Sequence, residues 1–266
     1  MAEKTPLGII EGFYGRYYEH AARQLLSREL AARGYSFYIF APKNFAPLRR
    51  AWREAASRQA LEELTRTARD CTSAGLKFGF GISPLNINHH EAAEHRLLCE
   101  LTLKLTRHTG ASLVGLLFDD IPGDDFTLAR AQQALISRLR DTLPSGVTLI
   151  VCPTYYSFDP VLTRLFGEIP PEYFADLTAH IAPEVEFFWT GNQVVSVNLS
   201  AADMERGAQA LGRRVALWDN YPVNDGRRLC THLFTHPFPG RQHLNGVITR
   251  HACNPMNEAL WSLPAL

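Results

Sequence analysis

The chain reads as an α/β protein of the (β/α)8 barrel class, a single TIM-barrel domain over residues 1–266. Three observations lead there. Short apolar runs recur eight times along 266 residues, helix-like segments separate most of them, and no Gly-rich phosphate fingerprint follows the first run as a dinucleotide-binding sheet would require. No linker or low-complexity stretch divides the chain.

The first run, Leu7 to Ile10, meets Glu11-Gly12-Phe13-Tyr14-Gly15, and the second, Tyr35 to Phe40, ends in Ala41-Pro42-Lys43-Asn44. Pro47 to Cys71 reads as a helix with Trp52, Ala55, Leu61 and Leu64 in its pattern. Phe78 to Ile82 stops at Ser83-Pro84, and Glu91 to Thr106 places Leu97, Leu98, Leu101 and Leu105 on one helical face. The fourth run, Leu113 to Phe118, lies between Gly110 and Pro122-Gly123 and ends in two adjacent acids, Asp119 and Asp120. Thr148 to Cys152 leads into Pro153-Thr154-Tyr155-Tyr156, and Val185 to Phe188 into Trp189-Thr190-Gly191. Arg214 to Leu217 runs into Trp218-Asp219-Asn220 and on to Asn224-Asp225, and Gly246 to Ile248 is the eighth candidate strand.

Ligands of such barrels bind at the carboxyl ends of the strands, so the Asp119-Asp120 junction is a candidate acid/base site. The competing reading is an aspartate that caps the next helix beside a solvated neighbour. Aromatic, amide and acid residues also follow the other strands. Aromatic faces stack on the apolar faces of sugar rings, and carboxylates and amides bind hydroxyls through directed hydrogen bonds, so the set suits a carbohydrate. For any one aromatic, a core filler beneath the barrel mouth explains as much.

Composition narrows the partners. With 46% hydrophobic residues and 27 basic against 27 acidic side chains, the chain can bury a large core and shows no bias towards nucleic acid or membrane. Met1-Ala2-Glu3-Lys4-Thr5-Pro6 lacks a secretory pattern and no apolar stretch is long enough to span a bilayer, so a cytoplasmic protein is expected. Cys71, Cys99, Cys152, Cys230 and Cys253 show no CxxC spacing, which favours free thiols over disulfides or zinc. His89-His90 has no companion cluster at ligand spacing, so no metal is expected. Nothing in the sequence indicates the oligomeric state.

Glu11-Gly12-Phe13-Tyr14-Gly15, Ala41-Pro42-Lys43, Leu117-Phe118-Asp119-Asp120-Ile121, Cys152-Pro153-Thr154, Trp189-Thr190-Gly191 and Trp218-Asp219-Asn220 with Asn224-Asp225 resemble, in order, the motifs of glycoside hydrolase family 84. This is the family of O-GlcNAcases and bacterial β-N-acetylglucosaminidases. The resemblance runs from about Gly8 to Asn257. It implies a barrel that removes terminal β-linked N-acetylglucosamine, including sugar on serine or threonine of glycoproteins, with no metal and no cofactor.

The same resemblance implies substrate-assisted catalysis, in which the sugar's 2-acetamido oxygen attacks the anomeric carbon. Asp119 would accept the acetamido N–H and stabilise the oxazolinium, and Asp120 would be general acid and then base. Tyr156 would hydrogen-bond the acetamido oxygen. Cys152, Thr190, Val194 and Trp218 would form the acetyl pocket, and Asn220 would support the acids. Gly12, Lys43 and Asp225 would bind sugar hydroxyls, and Tyr14 would wall the pocket. Taken outside the family context, Lys43 reads as a solvated loop charge and Asp225 as a capping residue.

Two departures stand out. Thr249-Arg250-His251-Ala252-Cys253 intervene between the eighth candidate strand and Asn254-Pro255-Met256-Asn257, where the family runs quickly into Asn-Pro. Asn254 is the first match for the hydroxyl-binding asparagine, Asn257 the second, and Arg250 or His251 would add something outside the family pattern. The chain also ends at Leu266, inside what should be the closing barrel helix and without the helical domain that often follows, which is consistent with truncation. Two alternatives remain at this stage: a hyaluronidase-like or chitin-fragment hydrolase, which would need a longer cleft, and a non-catalytic N-acetylglucosamine-binding module.

Overall fold

The computed structural model describes residues 4–122, 126–237 and 241–266. Met1 to Glu3 and Gly123, which entered the readings above, lie outside the described residues.

Eight parallel strands close into a barrel in sequence order: β1 Leu7–Glu11, β2 Phe37–Phe40, β3 Lys77–Ile82, β4 Leu113–Leu117, β5 Thr148–Cys152, β6 Glu186–Trp189, β7 Ala216–Asp219 and β8 His251–Cys253. Each pairs with the next, and Gly8 of β1 aligns with Ala252 of β8 to complete the ring. The helices are α1 His20–Ala32, α2 Arg58–Ser73, α3 Ala92–Thr109, α4 Leu128–Thr142, α5 Pro160–Phe166, α6 Tyr173–Thr178 and α7 Ala201–Leu211.

Alternation along each strand sorts the core into two shells. Ile10, Ile39, Leu117, Ile150, Phe188 and Ala252 fill the barrel interior. Their neighbours Ile9, Phe40, Leu116, Val151, Phe187 and Leu217 face outward onto the helices. Because both faces are buried, the strands read as continuous apolar runs, which is why most were visible in the sequence. Local signals set the helix ends: Ser57 caps α2 by accepting from Ala60 N at 3.2 Å, Gly110 ends α3 in the left-handed conformation, and Ser200 with Asp203 forms a capping box on α7.

Three expectations change. The eighth strand is His251–Cys253, and Gly246 to Ile248 forms turns after the 3-10 segment Gln242–Leu244. Ile248 is buried without joining the ladder, and pairing to β1 begins where His251 N bonds Pro6 O at 2.9 Å. The helix expected over Pro47 to Cys71 starts only at Arg58; Pro47 belongs to the 3-10 turn Ala46–Leu48, Ala55 is exposed, and Trp52 is a buried loop anchor whose Nε1 donates to Leu85 O at 3.1 Å. On α3 the buried face is His95, Leu98, Thr102, Leu105 and Thr106, so Leu97 is exposed and Leu101 half-buried. Strand ends at β6 and β7 also fall a residue or two later than their apolar runs suggest.

Candidate active site

The outward and inward alternation of β4 continues past its end. Leu117 faces the barrel interior, Phe118 packs in the outer shell, and Asp119 returns to the barrel mouth. Asp119 is only 8% exposed, and its Oδ1 is buried without a hydrogen-bond partner among the described residues. Leaving such an acceptor unmatched costs about 1–3 kcal/mol, so it marks a place where a donor is to arrive.

Lys43, on the loop after β2, is buried rather than solvated. Its Nζ bonds Asp119 Oδ2 and lies 2.9 Å from Asp120 Oδ2, so one ammonium serves both acids. A second cation, Arg49, places Nη2 3.0 Å from Asp120 Oδ2 and 3.2 Å from the Tyr14 hydroxyl. Neither acid caps a helix: α4 starts at Leu128 after Thr127.

The two acids and the residues first matched to sugar binding border one cavity of about 580 Å³, counting its open mouth. Gly12, Tyr14, Lys43, Asp119 and Asp120 stand on one side, and Cys152, Tyr156, Thr190, Val194, Trp218, Asn220, Asp225 and Asn254 complete the wall, joined by Val195 and Val223. The cavity has a floor, because Cys152 and Trp218 rest on the packed interior cluster around Ile150 and Phe188. Two glycines are required by this packing. A Cβ on Gly12 would lie 2.6 Å from Trp218 Cζ2, and Gly191, at φ +96°, would bring one within 2.4 Å of Leu199 Cδ2.

Amides tie the wall together. Asn220 Oδ1 accepts from Trp218 Nε1 and from Asn254 Nδ2, both at 3.0 Å, while Asn220 Nδ2 donates to Val194 O at 2.7 Å. Asn220 therefore braces the wall instead of touching either acid. Asn254 Oδ1 accepts from Gly12 N at 3.2 Å, and Asp225 Oδ2 accepts from Tyr14 N at 2.7 Å. Asn257 lies away from the cavity and donates to Tyr14 O at 2.8 Å, so of the two candidates only Asn254 lines the site. With β8 ending at Cys253, Asn254-Pro255 follow the strand at once, and the apparent extra segment disappears.

Not every motif residue reaches the rim. Glu11 points outward into an ion pair with Arg23, Phe13 packs on Tyr18, and Trp189 is enclosed edge-on by Phe158 and Phe174. Tyr155 is likewise buried against Tyr173. Only Tyr14, Tyr156 and Trp218 among the expected aromatics line the cavity. Arg49, Val195 and Val223 were not singled out from sequence. Arg49 was hidden inside the expected helix over Pro47 to Cys71, and the two valines carry no signal that separates them from core residues.

The pair of acids is electrostatically unequal. Burial raises Asp119 above the usual carboxylate range, against the opposing pull of Lys43. At Asp120 burial acts in the same direction, but Lys43, the Tyr14 hydroxyl and Arg49 outweigh it and hold this carboxyl low. Lys43 itself stays charged because the two acids overcome its burial, and burial pushes the Tyr156 hydroxyl well up.

On the outer side of β7 and β8, Asp219, His251 and Cys253 bring three possible metal ligands together. Both oxygens of Asp219 already accept from Arg241, at 2.8 and 3.0 Å, so its charge is balanced by a cation of the chain itself. Arg250 pairs with Glu186, and neither Arg250 nor His251 reaches the cavity.

Comparison with known proteins gives a consistent result. The family model described as beta-N-acetylglucosaminidase matches residues 7–266. Protein O-GlcNAcase of Rattus norvegicus is 28% identical over 267 residues, covering 95% of this chain and 28% of the relative. A Thermobaculum terrenum O-GlcNAc hydrolase, solved as a mutant, superposes with a TM-score of 0.85 at 31% identity, covering 96% of this chain and 56% of the other. The structure named CpGH84B matches in fold with a TM-score of 0.83 at 24% identity, over 97% of this chain and 46% of the other. The chain thus spans about a quarter of the curated relative's length and about half of each solved one.

Proposed function

Because the chain belongs to the beta-N-acetylglucosaminidase family, we propose that it is a retaining hydrolase of terminal β-linked N-acetylglucosamine that uses the sugar's own acetamido group as nucleophile. Residues 1–266 then form its barrel catalytic domain. The observation that carries the reading is the buried, unmatched Oδ1 of Asp119 on a cavity of single-sugar scale, a fixed acceptor suited to an acetamido N–H.

The chemistry proceeds in two halves. The acetamido oxygen attacks the anomeric carbon, the bond to the glycosidic oxygen breaks, and Asp120 delivers its proton to that oxygen. Asp119 stabilises the positive charge that develops on the oxazolinium. Water then adds to the anomeric carbon as its bond to the acetamido oxygen breaks and the acetamide re-forms; the water returns a proton to Asp120, and the sugar leaves with its β configuration retained. Tyr156 orients the acetamido oxygen, and Cys152, Thr190, Val194 and Trp218 enclose the methyl group. Lys43, Asp225, Asn254 and the Gly12 backbone bind hydroxyls. As arranged here the proton favours Asp119 over Asp120, the reverse of what the first half needs. A sugar that draws Lys43 to its hydroxyls and gives Asp119 an N–H donor would restore the required order.

The named relatives act on O-linked N-acetylglucosamine, and glycoproteins carrying it on serine or threonine are the proposed substrates. Five free cysteines, four of them buried, support a reducing, cytoplasmic setting, and no helix among the described residues is long and apolar enough to cross a membrane. The placement of both acids in one compact cavity weighs against a chitin-fragment or hyaluronidase-like enzyme, which would need a longer cleft across the barrel mouth for several sugars.

A nitrophenyl β-N-acetylglucosaminide tests the reading. Release of nitrophenol with retention by NMR, and negligible turnover of the matching glucoside, is expected. Inversion, or equal rates on the glucoside, would refute it, and binding without turnover would favour the non-catalytic module.

A further inference from the structure

Among the described residues, Arg49 is the one cation at the acid pair that does not border the cavity. It arrives from the chain just after the 3-10 turn Ala46–Leu48 and is largely buried. Its Nη2 spans Asp120 Oδ2 and the Tyr14 hydroxyl, its guanidinium lies 5.3 Å from the Tyr14 ring centroid, and Nη1 reaches only the Lys43 carbonyl, at 3.4 Å. Its Nε is buried without a hydrogen-bond partner among the described residues. Among the described residues no second carboxylate holds this side chain, and Asp120 and Tyr14 are the side chains that it meets.

We propose that Arg49 is the positioning residue of the acid–base carboxylate: a fixed cation behind the cavity that keeps Asp120 oriented, and able to give up its proton again, after Lys43 has turned to the sugar. The proposal rests on the hydrolase reading above. Lys43 lines the cavity and serves both acids, so an entering sugar can recruit it. Arg49 stands outside the cavity and remains. A carboxyl in this buried setting is driven towards its neutral form, which suits the acid of the first half but not the base of the second. Arg49 supplies the opposing charge, and its bridge to Tyr14 fixes the plane of the carboxylate.

The groups facing Asp120 come from several loops. Tyr14 stands after β1, Lys43 and Arg49 after β2, Asp119 is adjacent in the chain, Cys152 ends β5 with Tyr156 after it, and Asp225 follows β7. Asp119 and Asp225 are acidic and Lys43 is the mobile cation, which leaves Arg49 as the constant positive charge of the set.

The test is Arg49→Gln and Arg49→Lys, each checked for folding by thermal melting and assayed across pH on a nitrophenyl substrate. Loss of the cation should move the basic limb of kcat/KM, which needs protonated Asp120, to higher pH by about one unit. The acidic limb of kcat, which needs ionised Asp120 in the second half, should move up as well. Below that limb kcat should fall about tenfold with KM falling alongside, while kcat/KM is spared, because only the step after the oxazoline is slowed. Arg49→Lys should return both limbs to within a few tenths of a unit of wild type. Wild-type turnover with unmoved limbs in Arg49→Gln would overturn the role of Arg49 alone. Absence of turnover in wild type would overturn this role together with the hydrolase reading.

Discussion

At the scale of single residues, the adjacent acids are unequal because two neighbours of Asp120 are missing from the surroundings of Asp119. Both are desolvated and both meet Lys43, yet only Asp120 also has Arg49 and the Tyr14 hydroxyl. Asp120→Asn should lower turnover of poor leaving groups by roughly 10²- to 10⁴-fold, the usual worth of general acid catalysis. Steady-state kinetics on a series of aryl glycosides checks this: the loss in kcat/KM should shrink as the leaving group becomes more acidic, and a uniform loss would count against Asp120 as the acid. Asp119 and Asp120 were legible in the sequence because both stand at the end of one apolar strand. Arg49 was not, since an arginine within an apparent helix gives no sign of which carboxylate the folded chain will bring to it. The same limit affected Trp189 and Phe13. An aromatic beside a strand end has a side set by strand alternation, and an uncertainty of one residue in the strand boundary inverts that side.

At the scale of elements, β7 separates two environments by alternation. Trp218 and Asn220 turn to the cavity, while Asp219 turns outward to Arg241 and His251. Burial lowers the affinity of His251 for a proton, but Cys253 and Asp219 outweigh it and hold the imidazole up at about 10. A group raised in this way contributes stability that is complete below its unfolded value, about 6.5, and lost as pH rises through the folded one. Between pH 7 and 10 the wild-type melting temperature should therefore fall, by at least roughly 3 °C, equivalent to about 1 kcal/mol in a domain of this size. His251→Gln should melt lower at pH 7 and show a flatter slope in differential scanning fluorimetry. An unchanged slope would remove His251 from the account. This same strand, β8, was the one misplaced from sequence. It is three residues long, begins with a histidine, and its pairing to β1 and β7 depends on contacts far away in the chain, whereas β4 and β5 are five-residue runs, almost wholly apolar, that identify themselves.

At the scale of the whole molecule, the barrel is closed by its strand ladder and tied to its helices by one buried ionic knot. Arg23 on α1 forks onto Glu11 at 2.9 and 3.0 Å, reaches Glu63 on α2 at 2.6 Å, and lies 4.9 Å from the Phe40 ring centroid, while Tyr38 donates to Glu11 at 2.6 Å. Arg23→Met would leave Glu11 charged and unpaired in the core, at a cost of about 3–5 kcal/mol, whereas adding Glu11→Gln should recover a substantial part of it. Urea unfolding of the single and double variants checks the prediction; additive losses would show that the two do not act as a pair. The fold class was legible because strand and helix alternate from β1 to β7. The knot was not, because Glu11 reads as one more rim residue of its motif until the strand's facing is known.

The floor beneath the cavity has a further consequence. Cys152 and Trp218 sit directly on the packed barrel interior, so the cavity is closed beneath. On the proposed reading a sugar enters end-on, and each visit would shorten the partner by a single unit. Such a catalyst would erase marks and trim tips without severing chains, and its output would be one monosaccharide whatever carried the sugar.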